Sequence, residues 1–259
     1  MSGYQGPGTD IRSRGLAGLT AVVTGGATGI GLAITERLLA DGAQVLVAAR
    51  SEEELGGRSP GFVGDLAAPG TADALLGAAL EALGGVDVLV NNAGGGVIRP
   101  TLEHTEETLR STIDNNLWTT LRCCLAVLPH MVERGGGRII NIGAESVRNG
   151  LTDHAVYNAA KGGVHALAVG LAREFARAGI TVNTVAPSYT RTPELAAAID
   201  AGAIPPRLGV VLDDAVGLIP MGRGAQPDEV AAVVAFLARP DARFVTGQTI
   251  SVNGGSSMG

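Results

Sequence analysis

The chain has 259 residues, 46% of them hydrophobic and 17% charged, with 39 glycines; this suits one large α/β domain and excludes a disordered or disulfide-stapled chain. A net charge of −6, with arginines scattered rather than clustered, argues against a nucleic-acid partner. No run of about 18 apolar residues offers a membrane span, the first fifteen residues lack the apolar middle of a secretory signal, and the sequence reads as cytoplasmic.

An N-terminal arm, residues 1–15, holds Gly and Pro without periodicity. Beyond it, short β-branched runs alternate with Ala/Leu-rich helical stretches. Residues 20–24 predict a buried strand, 30–40 a helix, and 44–48 a second strand. A very short strand near Phe62 and Val63, a helix over 71–83 and a strand over 86–90 follow. Next come a helix from about Thr105 past Trp118 towards Glu133, bent near Pro129, a strand over 138–142, a helix over 154–177 and a strand over 181–185. Residues 192–221 read as irregular, a helix spans 228–238, and 249–252 supplies a last strand. The pattern predicts a single doubly wound α/β domain over 16–259, a Rossmann fold with seven parallel strands flanked by helices.

TGGATGIG, Thr24 to Gly31, ends the first strand and opens the first helix, where backbone N–H groups can hold a dinucleotide diphosphate. Gly25, Gly29 and Gly31 are spaced G-x-x-x-G-x-G rather than G-x-G-x-x-G, yet can turn the chain, admit phosphates and pack helix on strand; Thr28 and Ile30 lie among them. About 20 residues further on, an acid would be expected to meet a free ribose 2′-OH. Ala48, Ala49 and Arg50 stand there instead, and a guanidinium beside a neutral pocket suits a 2′-phosphate, so NADP is favoured over NAD. Asp65, after the third strand, is placed to accept a hydrogen bond from adenine or to cap its own loop.

Lys161 is the single lysine beside 18 arginines, which implies a site where a compact ammonium works and a planar fork does not. In YNAAK it follows Tyr157 by four residues, one helical turn away on the same face. A phenol with pKa near ~10 is a poor acid or base at neutral pH, and an adjacent ammonium would lower that value. The remaining signals are weaker. The histidines lack metal spacing, no Cys/His set suits zinc, and His154, three before Tyr157, reads as a surface residue with a place lining the active site as the alternative; Trp118 reads as core with a subunit interface as the alternative, and the adjacent Cys123 and Cys124 as small buried fillers that cannot readily bridge.

TGGATGIG, NNAG (91–94), INIG (140–143), YNAAK and VTGQTISVNGG (245–255) together resemble the short-chain dehydrogenase/reductase family, in its short, 3-oxoacyl reductase-like form, over about residues 16–255. The resemblance implies a nicotinamide cofactor and a small-molecule carbonyl or alcohol substrate, with Tyr157 as general acid/base and Lys161 binding the nicotinamide ribose and lowering the Tyr pKa. Asn116, or Asn115 one residue earlier, would hold a proton-relay water. Asn91 to Gly94, with Asn92, Ala93 and Gly94 on the cofactor side, match the turn supporting the adenosine ribose. APSYTRT, from Ala186, matches a stretch contributing Pro187, Thr190 and Thr192, the last as nicotinamide carboxamide partner. A lid over about 189–222, rich in Leu, Ile, Val and Pro, suggests an apolar or amphipathic substrate. The family also implies a homotetramer, or a homodimer.

One position departs from the pattern. Thirteen residues before Tyr157, where the family carries a catalytic Ser, stands Ala144. Ser146 is the nearest hydroxyl and reaches the site if the GAES turn bends; Glu145 lies between. The expectation is an NADP(H)-dependent oxidoreductase interconverting a ketone and a secondary alcohol; the alternative is a catalytically impaired dinucleotide-binding sensor or scaffold.

Overall fold

The computed structural model describes residues 15–258, so the predicted arm falls, except for Gly15, outside the described residues. Seven strands, β1 (Thr20–Thr24), β2 (Gln44–Ala49), β3 (Gly61–Val63), β4 (Val88–Asn91), β5 (Gly137–Ile142), β6 (Ile180–Pro187) and β7 (Thr249–Val252), form one parallel sheet in the order β3-β2-β1-β4-β5-β6-β7. Successive strand residues face opposite sides, and the core divides accordingly. Val23, Val47, Val90 and Ile140 join one apolar cluster. Their neighbours Val22, Leu46, Leu89 and Ile139 join the other. Helices α1 (Gly29–Ala40) and α10 (Pro227–Ala238) cover the first face; α3 (Thr71–Leu83), α5 (Thr119–Glu133) and α7 (Ala155–Phe175) cover the second. The expected Rossmann architecture is therefore present, with the strand order reversing between β1 and β4.

Several elements differ from expectation. The long helix is interrupted not at Pro129 but by a π-helical turn over Asp114–Trp118, between α4 (Glu106–Ile113) and α5. Pro129 lies on the exposed side of α5, so the carbonyl it leaves unbonded can meet water without a break. Trp118 is 43% exposed rather than core, with the Arg122 guanidinium over its ring at 5.1 Å. The region expected to be irregular holds α8 (Pro193–Asp200) and α9 (Pro206–Gly217). Each has Pro at its start, where a fixed φ suits the first turn, and Thr192 caps α8 by accepting from the Leu195 N–H. Two one-turn helices, α2 (Glu52–Leu55) and α6 (Ser146–Asn149), were too short to carry a period.

Leu89, fully buried in a central strand, should lose about 2–5 kcal/mol of stability on Leu89→Ala, while Leu102→Ala, 99% exposed in the wild type, should change it by less than about 0.5 kcal/mol. Urea denaturation of both variants checks the assignment of the core.

Candidate functional site

Where β1 and β4 diverge, their C-terminal ends open a cleft of about 900 Å³. All residues assigned above to cofactor binding border it, as do Ser146 and Ala144. The phosphate loop is fixed from two sides. The Thr24 hydroxyl accepts from the Asn92 and Ala93 N–H groups and donates to the Val90 carbonyl, and the Asn92 amide donates to the carbonyls of Thr24 and Gly25. Gly31 packs so closely that a Cβ would collide with the Gly25 carbonyl, and Gly25 turns at φ +59°. Asn91 plays a different part, donating to Asn141 Oδ1 at 2.9 Å inside the sheet, with its neighbour Cys124 beside it. Burial pushes both Cys thiols up to about 12, as fits inert fillers.

Tyr157 and Lys161 rise from one face of α7 into this cleft, with Lys161 Nζ 5.8 Å from the centre of the phenol ring. Lys161 Nζ donates to the Ile142 carbonyl at 2.8 Å, at the end of β5. Among the protein's own groups burial dominates both: it pushes the Tyr157 phenol up to about 12 and the Lys161 ammonium down to about 8. Burial thus outweighs the lowering of the phenol expected from an adjacent ammonium; the low dielectric that strengthens their attraction also penalises each charge.

β5 delivers Ala144, whose N–H points to His165 Nε2 at 3.3 Å; burial first, then Arg148 and Lys161, hold His165 down at about 4 and so neutral. The chain then turns into α6, carrying Ser146 to the cleft, where its hydroxyl donates to Asn158 Oδ1 at 2.6 Å. Glu145 is buried beside it and paired with Ser257. His154 also borders the cleft, edge-on to Tyr157 at 5.9 Å, rather than lying on the outer surface. Asn116 does not face the cleft. Its amide donates to the carbonyls of Gly95 and Thr112, and its Oδ1 accepts from the Gly95 N–H, so it clamps the loop after β4; Asn115 is the one that borders the cleft. A Cβ on Gly94 would lie 2.7 Å from Asn116 Oδ1 and 3.2 Å from Lys161 Nζ, so the loop passes tightly between them.

At the far end, Arg50 is exposed and pairs with Glu54 at 3.4 Å, and Glu54 also accepts from the Arg50 N–H. Glu54, missed in the sequence, sits there because α2 brings it one turn back onto β2's end. Asp65 accepts from the Ala67 N–H, capping its loop while bordering the cleft.

A family model described as Enoyl-(Acyl carrier protein) reductase matches residues 25–257. The chain is 54% identical to 2,3-dihydroxy-2,3-dihydro-p-cumate dehydrogenase of Pseudomonas putida, over 94% of this chain and 96% of that one. It is 38% identical to the 3-oxoacyl-[acyl-carrier-protein] reductase FabG of Vibrio cholerae, over 94% and 99% of the two chains. The crystal structure of gox2181 superposes with a TM-score of 0.84 at 32% identity, over 94% of this chain and 97% of that one. The chain belongs to the short-chain dehydrogenase/reductase family.

It is an oxidoreductase of that family, and the family implies a nicotinamide dinucleotide cofactor. The residues fit one: the glycine loop leaves no room for side chains where it meets β4, and the N-terminus of α1 opens onto the cleft, where first-turn backbone N–H groups suit an anion. No described helix is long and apolar enough to cross a membrane, and the described residues contain no cluster of potential metal ligands.

Because Lys161 has a lower pKa folded, about 8, than its ordinary 10.5, the unfolded chain binds that proton more tightly. The resulting penalty is full below about 8 and gone above 10.5, so stability rises with pH across that interval. Lys161→Met should be more stable than wild type at neutral pH and lack this rise, as urea midpoints at neutral pH and about pH 10 will reveal.

Proposed function

We propose that the protein interconverts a secondary alcohol and a ketone using NADP(H), with Tyr157 exchanging the proton. The observation that carries this reading is the shared cleft: Tyr157 and Lys161 border the same cavity as the phosphate loop. When bound, the nicotinamide exchanges a hydride with the substrate carbon. Tyr157, a phenol protonated at neutral pH and kept so by burial, hands its proton to the ketone oxygen; in the reverse direction it must act as a base. Lys161, fixed by the Ile142 carbonyl, supplies the positive charge that opposes negative charge developing on the phenol. Asn116 is a positioning residue: by gripping Gly95 it holds the Gly94 backbone against Lys161.

Ser146 stands in for the hydroxyl missing at Ala144, with a difference in sense. Its proton goes to Asn158, so toward the cleft it offers lone pairs, which suit a hydroxyl better than a ketone oxygen. Val97, Ile98, Leu151, Leu208 and Val211 make the adjoining wall apolar. Together with the 54% relative, named for a ring-borne 2,3-diol, this favours a substrate with a second hydroxyl beside the reacting one on an apolar ring.

For the cofactor, Arg50 is 71% exposed and its ion pair with Glu54 is of the weak surface kind, so the guanidinium is free to turn to a 2′-phosphate. Glu54 opposes that phosphate. A homotetramer is supported by Trp118, Leu125 and Val132, exposed at seven-residue intervals along one helical face, and by exposed Val169 on α7. The setting is cytoplasmic, in keeping with free buried thiols.

Nicotinamide absorbance, followed with NADPH and activated ketones or with NADP and cyclic vicinal diols, tests the reading. Tyr157→Phe should lower kcat by about 10²–10⁴ with cofactor binding retained; equal turnover by the two proteins sinks it. Since the phenol must lose its proton for oxidation, diol oxidation should climb with alkaline pH while ketone reduction does not; an oxidation optimum in acid contradicts Tyr157 as the base. Ser146→Ala should raise KM for diols more than for mono-alcohols. Arg50→Asp should shift preference towards NAD by about tenfold or more, and Glu54→Gln should shift it further towards NADP.

A further inference from the structure

The phosphate loop already holds an anion, and it comes from the lid. The Gly29 N–H, first in α1, donates to Glu194 Oε1 at 3.2 Å, across 165 positions of sequence. Among the described residues, α1's N-cap Thr28 lends no side-chain oxygen and its first turn carries no acid, so the positive end of this twelve-residue helix has its charge partner supplied from elsewhere. The contact is close over more than one atom: a Cβ on Gly29 would lie 3.4 Å from Thr192 Cγ2 and 3.8 Å from Glu194 Oε2. Glu194 borders the cleft with Gly25 and Thr28, the loop on which a dinucleotide diphosphate would rest.

We propose that Glu194 is an internal competitor for the seat of the cofactor's diphosphate, holding the first turn of α8 on the phosphate loop until the cofactor displaces it and reseating as the cofactor leaves. The inference rests on reading the cleft as a dinucleotide site. Two anions cannot share one N–H, so seating of the diphosphate and seating of the carboxylate exclude each other. Release of Glu194 is undemanding for two reasons. Its side chain is exposed, and it lies in the first turn of α8, whose own N-terminus favours a carboxylate after the bond to Gly29 breaks. Burial works to raise its pKa, but hydrogen bonds from its own backbone, Thr192 and Gly29 prevail and keep it ionised at neutral pH. Thr192, the expected nicotinamide partner, is two residues away and caps the same turn, so displacement of Glu194 moves the segment that must meet the other end of the cofactor.

The test uses two ligands, 2′-phospho-ADP-ribose, which carries the diphosphate, and 2′-AMP, which does not. By calorimetry, Glu194→Gln and Glu194→Ala should bind the first about three- to tenfold tighter than wild type and the second unchanged. Stopped-flow fluorescence should show NADPH leaving both variants more slowly by a similar factor. Unchanged or weaker binding of 2′-phospho-ADP-ribose overturns the proposal, as does an equal gain for 2′-AMP, which would mark a general effect of charge. If neither wild type nor variants bind 2′-phospho-ADP-ribose or plain ADP-ribose, the dinucleotide reading falls with it; if all bind equally, the dinucleotide reading stands and only the role of Glu194 fails.

Discussion

The reversal of strand order between β1 and β4 is the constraint from which the site follows. Neighbouring parallel strands normally hand their chains to helices that cross the sheet the same way, but here α1 and the loop after β4 depart to opposite faces and leave a crevice between them. The groups that matter lie near that crevice: the glycine loop after β1, Arg50 after β2, Asn92 after β4, Ala144 and Ser146 after β5, Pro187 at the end of β6. α7 then crosses behind β5 and brings Tyr157 and Lys161 to the same opening. A single hydroxyl, that of Thr24, ties the two diverging chains together by bonding three backbone groups of the β4 segment.

Much of this was legible because its physics is local. Continuous β-branched and apolar runs marked the strands as buried on both faces, and the Cβ-free positions at Gly25 and Gly31 follow from how closely loop and helix must pack. The Tyr157–Lys161 spacing fixes a shared face on any helix, so their proximity needed no tertiary information. α8 was readable too: Thr192, Pro193 and Glu194 form a cap, a proline in the first turn and an acid after it, and the surrounding Pro, Gly and Ala residues obscured them.

What was not legible depends on long-range contacts. The π-helical turn that buries Asn116 against the loop and leaves Asn115 bordering the cleft gives no composition signal, since one extra residue in a turn is a matter of packing against the loop of Gly94 and Gly95. Trp118 looked like core because large aromatics usually are; only the exposed face of the interrupted helix shows otherwise. The electrostatics of Tyr157 and Lys161 reversed the simplest expectation, because proximity is visible in sequence whereas depth of burial is not. His154 stands just before α7, its ring edge-on to Tyr157 and its Nδ1 against the Thr152 carbonyl, a placement that needs the folded turn.

The enclosure of Lys161 also shapes how the protein meets the chemistry of its surroundings. With the one lysine sunk beneath the cleft and every other side-chain cation an arginine, the outer surface offers guanidinium groups but no side-chain amine. Acylating agents, reducing sugars and aldehyde cross-linkers that attack ε-amino groups therefore find their usual handle only where a dinucleotide would shield it.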